Sequence, residues 1–303
     1  MTTDEDPVWI PDQTYTMGSD EHYPEEAPAH HVTVDGFWMD THQVTNAQFG
    51  AFVDATGYRT VAERPLDPAD FPGAPPENLQ PGSMVFTPTR GPVDLRHISL
   101  WWTWTPGASW RHPRGPGSST DGLTDHPVVH LAHEDAETYA AWAGRTLPTE
   151  AEWEAAARGG LRGASYVWGH DPEVRGEPRA NYWHGDFPWR ADTGYGHSTP
   201  VGSFPPNGYG LFDMAGNVWE WTTDWYAPTH TSPGCCLPRN PRGPQVEESY
   251  DPRQPQFRVP RKVIKGGSFL CADTYCLRYR PAARRPQMID TGMSHLGFRC
   301  IVR

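Results

Sequence analysis

The chain has 303 residues, 25 Lys plus Arg against 37 Asp plus Glu for a formal charge of −12, and 37% hydrophobic residues, which is the profile of a globular protein rather than a disordered one. The acidic balance disfavours a nucleic-acid partner, which needs clustered Lys and Arg, and no run approaches the roughly 20 apolar residues of a membrane span. The acidic start, Met1-Thr2-Thr3-Asp4-Glu5-Asp6, is unlike a signal peptide and predicts a cytoplasmic protein.

In chain order, residues 31–34 and 37–39 read as short strands between turns. Thr45-Asn46-Ala47-Gln48 is a capping-box pattern opening a helix with Phe49, Phe52 and Val53 on one face and Gly57 behind it. Residues 65–91 are rich in Pro and Gly and predict a long surface loop; Trp101, Trp102, Trp104 and Trp110 follow in a loop-like stretch that offers core or a peptide groove. A second helix is expected over 134–143, with Gly144 after it, and a third after Pro148-Thr149, where Thr149 and Glu152 form a capping box and Gly159-Gly160 end the run. Residues 227–260 predict a second long loop, and 263–264 and 297–302 two further strands. Helices and strands do not alternate, and no repeat period is present, so the expectation is a single α+β domain, residues 1–303, with short antiparallel sheets and much irregular chain.

Five cysteines, an odd number, do not make a secreted disulfide scaffold, but Cys271 and Cys276 lie five apart after Gly266-Gly267-Ser268. In a strand an odd offset puts the two on opposite faces, and in a helix five steps rotate the second by about 140°, so only a turn at Asp273-Thr274 brings the sulfurs together. Such a pair is a disulfide, two buried thiols, or a soft site that selects Cu(I) and leaves a coordination position open. In His126-Pro127-Val128-Val129-His130-Leu131-Ala132-His133-Glu134, Pro127 breaks any shared helical face and no carboxylate completes an iron triad, so packed or surface histidines are expected. Asn207-Gly208-Tyr209-Gly210-Leu211-Phe212 and Asn181-Tyr182 with Asp192 offer carbonyl, amide and carboxylate oxygens to a calcium ion, or are simply Gly-rich turns. Trp219 and Trp221 are expected in the core, and Ser268 lies outside any Gly-x-Ser-x-Gly elbow.

Taken in order, these segments resemble the formylglycine-generating enzymes, or sulfatase-modifying factors, over nearly the whole chain. The resemblance rests on Met17-Gly18-Ser19, Val44-Thr45-Asn46-Ala47-Gln48-Phe49, His126-Pro127-Val128-Val129-His130, Arg145-Thr146-Leu147-Pro148-Thr149-Glu150-Ala151-Glu152-Trp153-Glu154, Gly216-Asn217-Val218-Trp219-Glu220-Trp221, Gly266-Gly267-Ser268 and Leu296-Gly297-Phe298-Arg299-Cys300. The part that looks like the catalytic segment is Cys271 to Cys276 with Tyr275, Arg278-Tyr279-Arg280 and Ala282-Ala283-Arg284. It implies a C-type-lectin-like fold and the oxidation by molecular oxygen of a cysteine in a Cys-x-Pro-x-Arg segment of an unfolded sulfatase to Cα-formylglycine, with a thiol reductant. It further implies Cu(I) on Cys271 and Cys276, with Ser268, Tyr275 and Arg278 as polar groups of the pocket. Structural Ca2+ is implied at Asn207, Gly208, Gly210 and Phe212, and at Asn181, Tyr182, Asp192 and Tyr195, where the segment after Asn181 is shorter than the family's. Cys235-Cys236 lie outside the pattern. The same fold also serves lectin-like binding modules and iron-dependent sulfoxide synthases. The absence of a complete His-x3-His-x-Glu set disfavours the latter.

Overall fold

Local capping places the α-helices of this computed structural model, which describes residues 6–69, 73–230, 237–256 and 258–303. Helix α1 (Asn46–Thr56) begins where Thr45 accepts from the Gln48 backbone N–H and the Gln48 side chain accepts in return from the Thr45 N–H. It ends at Gly57, whose left-handed φ of 69° suits a residue without Cβ. Helix α2 (His133–Trp142) starts one residue before the predicted position, with Asp135 accepting from the Ala132 N–H at 2.8 Å. Helix α3 (Glu150–Ala157) follows the Thr149–Glu152 capping box and is buried along its whole length.

The strands are short and pair mostly across long stretches of chain. Strands β1 (Val8–Ile10), β4 (Phe37–Met39) and β13 (Ile301–Val302) form one sheet in the order β1-β4-β13; β2 (Gln13–Met17) pairs with β3 (His30–Val34). Strands β5 (Gly82–Phe86) and β6 (Trp102–Pro106) form a hairpin-like pair, as do β7 (Gly185–Asp186) and β8 (Arg190–Ala191). The central sheet runs β11-β10-β9-β12, from β9 (Trp219–Trp225), β10 (Arg261–Lys265), β11 (Arg284–Met288) and β12 (Leu296–Gly297).

Three expectations meet the structure differently. The stretch 65–91 is not all loop: β5 lies in it, paired with β6, so Trp102 and Trp104 stand on a strand. The stretch 297–302 is not one strand. Leu296–Gly297 runs parallel to Trp219–Glu220, whereas Ile301–Val302 runs antiparallel to β4 in another sheet. Between them the chain turns Arg299 inward, where its Nε and Nη2 donate to the Glu220 carboxylate at 2.8 Å each. A period-2 reading has no place for a buried, paired cation, and that pairing breaks the strand. Trp153, Trp219 and Trp221 are core, with Trp153 Nε1 donating to Glu220 Oε2 at 2.7 Å. Among the described residues, 227–260 carries the short 3-10 turn Val246–Glu248 and a single bridge from Arg239 to Thr33, and Cys235 and Cys236 lie outside them. Among the described residues no helix is long and apolar enough to cross a membrane.

Candidate active site

The segment after β10 leaves the central sheet at Gly266 and Gly267, both with positive φ, and a Cβ on Gly267 would meet the Tyr279 backbone at 2.9 Å. That close approach folds residues 268–279 into a strap. Cys271 N–H donates to Ser268 C=O at 2.9 Å, and the N–H groups of Tyr275 and Cys276 both donate to Ala272 C=O. Asp273 and Thr274 form its tip, where Asp273 is exposed. The turn brings the two sulfurs to 3.2 Å, as free buried thiols. Of the readings open from spacing, a disulfide is therefore not the one seen.

The two sulfurs differ in environment. Burial pushes the Cys271 thiol well above its usual pKa, and the hydrogen bond to Cys276 adds to that. Cys276 moves the other way, to about 6, chiefly because Cys271 donates to it, with Arg278 and Arg285 adding positive potential. Arg278 Nη1 lies 3.8 Å from Cys276 Sγ. The two shifts belong to the pair, and both favour a thiolate on Cys276 over one on Cys271.

A narrow cleft of about 20 Å³ leads to the sulfurs. Tyr275 forms one wall, stacked on Phe187 with centroids 4.6 Å apart and edge-on to Trp101 at 5.7 Å. Ser268 lies fully buried at the base, its Oγ accepting from the Leu270 N–H at 3.2 Å. So the structure brings together Ser268, Cys271, Tyr275, Cys276 and Arg278, all singled out by sequence. Sequence reasoning missed Phe187, Ile98 and His295, which also line the cleft, and Tyr23 and Glu25, which hold Arg278 from behind. No local pattern marks these residues, because each comes from a distant part of the chain.

The histidines of 126–133 separate, as expected of packed residues: His126 reaches Ser198 Oγ, His130 reaches Ser83 Oγ and Pro113 C=O, and His133 reaches Thr222 C=O. Among the described residues no three or more His, Cys, Asp or Glu side chains gather as a metal site.

The sequence matches the sulfatase-modifying factor enzyme 1-like domain over residues 1–303. The chain belongs to the sulfatase-modifying factor family. It is 53% identical over 300 residues to the formylglycine-generating enzyme of Mycobacterium tuberculosis, covering 97% of this chain and 96% of that protein. It is also 42% identical over 306 residues to the inactive Cα-formylglycine-generating enzyme 2 of Mus musculus, covering 97% and 84%. PvdO from Pseudomonas aeruginosa has the same fold, with a TM-score of 0.65 at 23% identity and coverage of 98% and 93%. The α+β fold is accordingly that of the formylglycine-generating-enzyme, C-type-lectin-like kind. Because family members include an inactive one, chemistry has to be argued from the site.

The two oxygen-rich segments fare differently as cation sites. Asn181 is fully buried, its Oδ1 without a donor among the described residues, while its Nδ2 is engaged by His197 C=O, so one oxygen is available to a cation. Asp192 is exposed, and the rings of Tyr182 and Tyr195 enclose His184 at 4.2 and 4.0 Å. In the other segment Asn207 Oδ1 already accepts from the N–H groups of Tyr209 and Leu211, and Phe212 C=O accepts from Arg299 Nη2 at 2.8 Å. A guanidinium on Phe212 C=O and two N–H donors on Asn207 Oδ1 would compete with a dication at those two of the four residues, Asn207, Gly208, Gly210 and Phe212.

Proposed function

We propose that this chain oxidises a cysteine within a Cys-x-Pro-x-Arg segment of an unfolded sulfatase to Cα-formylglycine. The observation that carries the reading is the convergence of Cys271 and Cys276 to 3.2 Å, one of them thiolate-prone, at the base of a cleft. Two soft sulfurs with the negative charge biased to one suit a monovalent thiophilic ion, so Cys271 and Cys276 would hold Cu(I). Bound there, Cu(I) would supply a centre that takes a further thiolate and reduces molecular oxygen. In net terms one cysteine methylene-thiol group and one molecule of oxygen, with two electrons and two protons, give an aldehyde, hydrogen sulfide and water, the electrons coming from a thiol reductant.

The chain's own residues prepare that chemistry. Arg278 adds to the hydrogen bond from Cys271 in favouring the Cys276 thiolate, and Tyr275, Phe187 and Trp101 form an aromatic wall that limits water at the sulfurs. Ser268 Oγ accepts from Leu270 and so retains its own proton to donate into the cleft. The orphaned Asn181 Oδ1 is the basis for proposing structural Ca2+ there, with Tyr182, Asp192 and Tyr195 as the further ligands that the resemblance implies. Thermal melting with Ca2+ against a chelator tests it: a rise in Tm that disappears in Asn181→Ala is expected, and an unchanged Tm removes the proposal.

The activity test is a short peptide containing the target Cys, Pro and Arg, incubated with protein, Cu(I), oxygen and a thiol. It should lose its thiol and gain an aldehyde, and purified protein should carry one copper per chain that is lost in Cys271→Ser and Cys276→Ser. No conversion at any copper load defeats the reading and leaves a lectin-like binding module, whose ligand binding Cys271→Ser would not change.

A further inference from the structure

The cleft accounts for the front of the cysteine pair; its back is held by a turn from the other end of the chain. Cys271 is fixed directly to the fold, with its N–H on Ser268 C=O and its own carbonyl accepting from Trp183 N–H at 2.8 Å. Cys276 bonds through its backbone N–H only within the strap, to Ala272 C=O at 2.6 Å, and the strap's tip is exposed at Asp273. Its side chain packs against the core, and its polar attachment to the body of the protein runs through the next residues, Leu277 and Arg278.

Those two residues dock on the turn that contains Tyr23 and the 3-10 segment Pro24–Glu26. Leu277 N–H donates to Tyr23 Oη at 3.0 Å. The Arg278 guanidinium lies over the Tyr23 ring, 3.6 Å from its centroid, and its Nη2 donates to Glu25 Oε1 at 2.6 Å. Further along, Arg280 pairs with the buried Glu26 carboxylate and Arg284 Nη1 donates to Glu25 C=O at 3.1 Å, so the turn itself is anchored independently of Arg278. A rigidly held ring and carboxylate thus face the strap segment just after Cys276, which Arg280 Nε also ties through Leu277 C=O at 2.8 Å.

We propose that Tyr23 and Glu25 are positioning residues for Cys276: acting through Leu277 and Arg278, they set where its sulfur stands relative to that of Cys271. The proposal rests on the reading above for its catalytic consequence, whereas the placement of the sulfurs can be measured without it. Displacements of the order of an ångström at a reacting centre are enough to change rates by about a hundredfold, which is why a side chain that touches neither substrate nor metal matters here.

The test reads the two sulfurs directly in metal-free, full-length protein. Oxidised glutathione and the two thiols exchange to give the Cys271–Cys276 disulfide and two reduced glutathiones, and the equilibrium, followed by peptide mapping, reports how readily the sulfurs meet. Glu25→Ala should shift that equilibrium away from the protein disulfide by about fivefold or more, while Glu25→Gln, which keeps an acceptor for Arg278, should stay within about twofold of the parent. In an Arg278→Ala background Glu25→Ala should add nothing. If Glu25→Ala proves too unstable to purify, Tyr23→Phe removes one hydroxyl alone, and faster hydrogen exchange at the Leu277 amide is then the expected result. A Glu25→Ala equilibrium equal to the parent's, a Glu25→Gln value as low as that of Glu25→Ala, or unchanged exchange at Leu277 in Tyr23→Phe each overturns the proposal. Peptide conversion measured alongside separates the two ideas: a shifted thiol equilibrium in a protein that never makes aldehyde leaves the positioning intact and removes the enzymatic reading.

Discussion

His130 is buried at a left-handed backbone position (φ 64°), with Nε2 at 2.8 Å from Pro113 C=O and Nδ1 at 2.8 Å from Ser83 Oγ. Pro113 C=O accepts from Nε2, Ser83 gives its own hydroxyl proton to Gly292 C=O at 2.7 Å, and burial lowers the pKa of the ring to about 4 against 6.5. The unfolded chain therefore binds a proton that the native state refuses between pH 6.5 and 4. Stability from this residue is complete above 6.5 and falls as pH drops, by about 3 kcal/mol across the window. His130→Asn, which tolerates positive φ, should flatten the pH dependence of unfolding free energy near about pH 5 by up to about 1.4 kcal/mol per pH unit. Urea titrations across the window measure it, and identical slopes in the two proteins would contradict the assignment. The sequence supplied this histidine as one of a tempting cluster. What it could not supply is the direction of each ring, which depends on Ser83 and Pro113, strangers in the sequence.

At the scale of the element, α3 concentrates the fold's buried charge. Glu154 is fully buried between Lys265 Nζ at 3.0 Å and Arg158 Nη2 at 2.7 Å, and Glu150 pairs with Arg284. Burial pushes the Glu154 carboxyl up, but Lys265 and Arg158 outweigh it and hold the group down at about 2. Its folded pKa is lowered, so its stabilisation is full above the ordinary carboxylate range and is lost as pH falls toward about 2. Glu154→Gln leaves the fully buried Lys265 ammonium with only the longer contacts to Glu150 Oε1 at 3.7 Å and Ala282 C=O at 3.4 Å, and should cost about 3 kcal/mol. Calorimetry should show that loss, and pairing Glu154→Gln with Lys265→Met should restore much of it; a single variant with parental Tm would refute the argument. The start of this helix was the most legible feature in the chain because a capping box is local, whereas its charge network was not, since the partners sit on β10 and at the start of β11. The same division separates the thiols from their supports: Asp273-Thr274 announced the turn, but Phe187, Tyr23 and Glu25 arrive from elsewhere. Strands were read least well, because β5, β9 and β11 take their identity from partners far along the chain and two-residue strands such as β12 carry no period at all.

For the whole molecule, the decisive feature is that the last residues knit the fold shut. After β12 the chain crosses to the sheet of β1 and β4, placing Arg299 on Glu220 and Cys300 in the interior, with Arg303 returning to Glu152 at the head of α3. Cys276 and Cys300 thus probe two depths of one structure. Cys276 sits at a cleft on a strap with an exposed tip, whereas Cys300 is fully buried at the junction of two sheets, and burial raises its thiol well above the usual range. Cys276 should react with a small alkylating reagent in the native protein. Cys300 should react only through opening of that junction, which requires Arg299, Ile301 and β4 to separate together, so its labelling rate should rise with urea along the slope of global unfolding seen by Trp fluorescence. Mass-resolved alkylation across a urea series distinguishes the cases. If Cys300 labels well before the fluorescence transition, the C-terminal crossing is a separate unit that frays on its own, and the site's scaffold is not the single cooperative body that these contacts require.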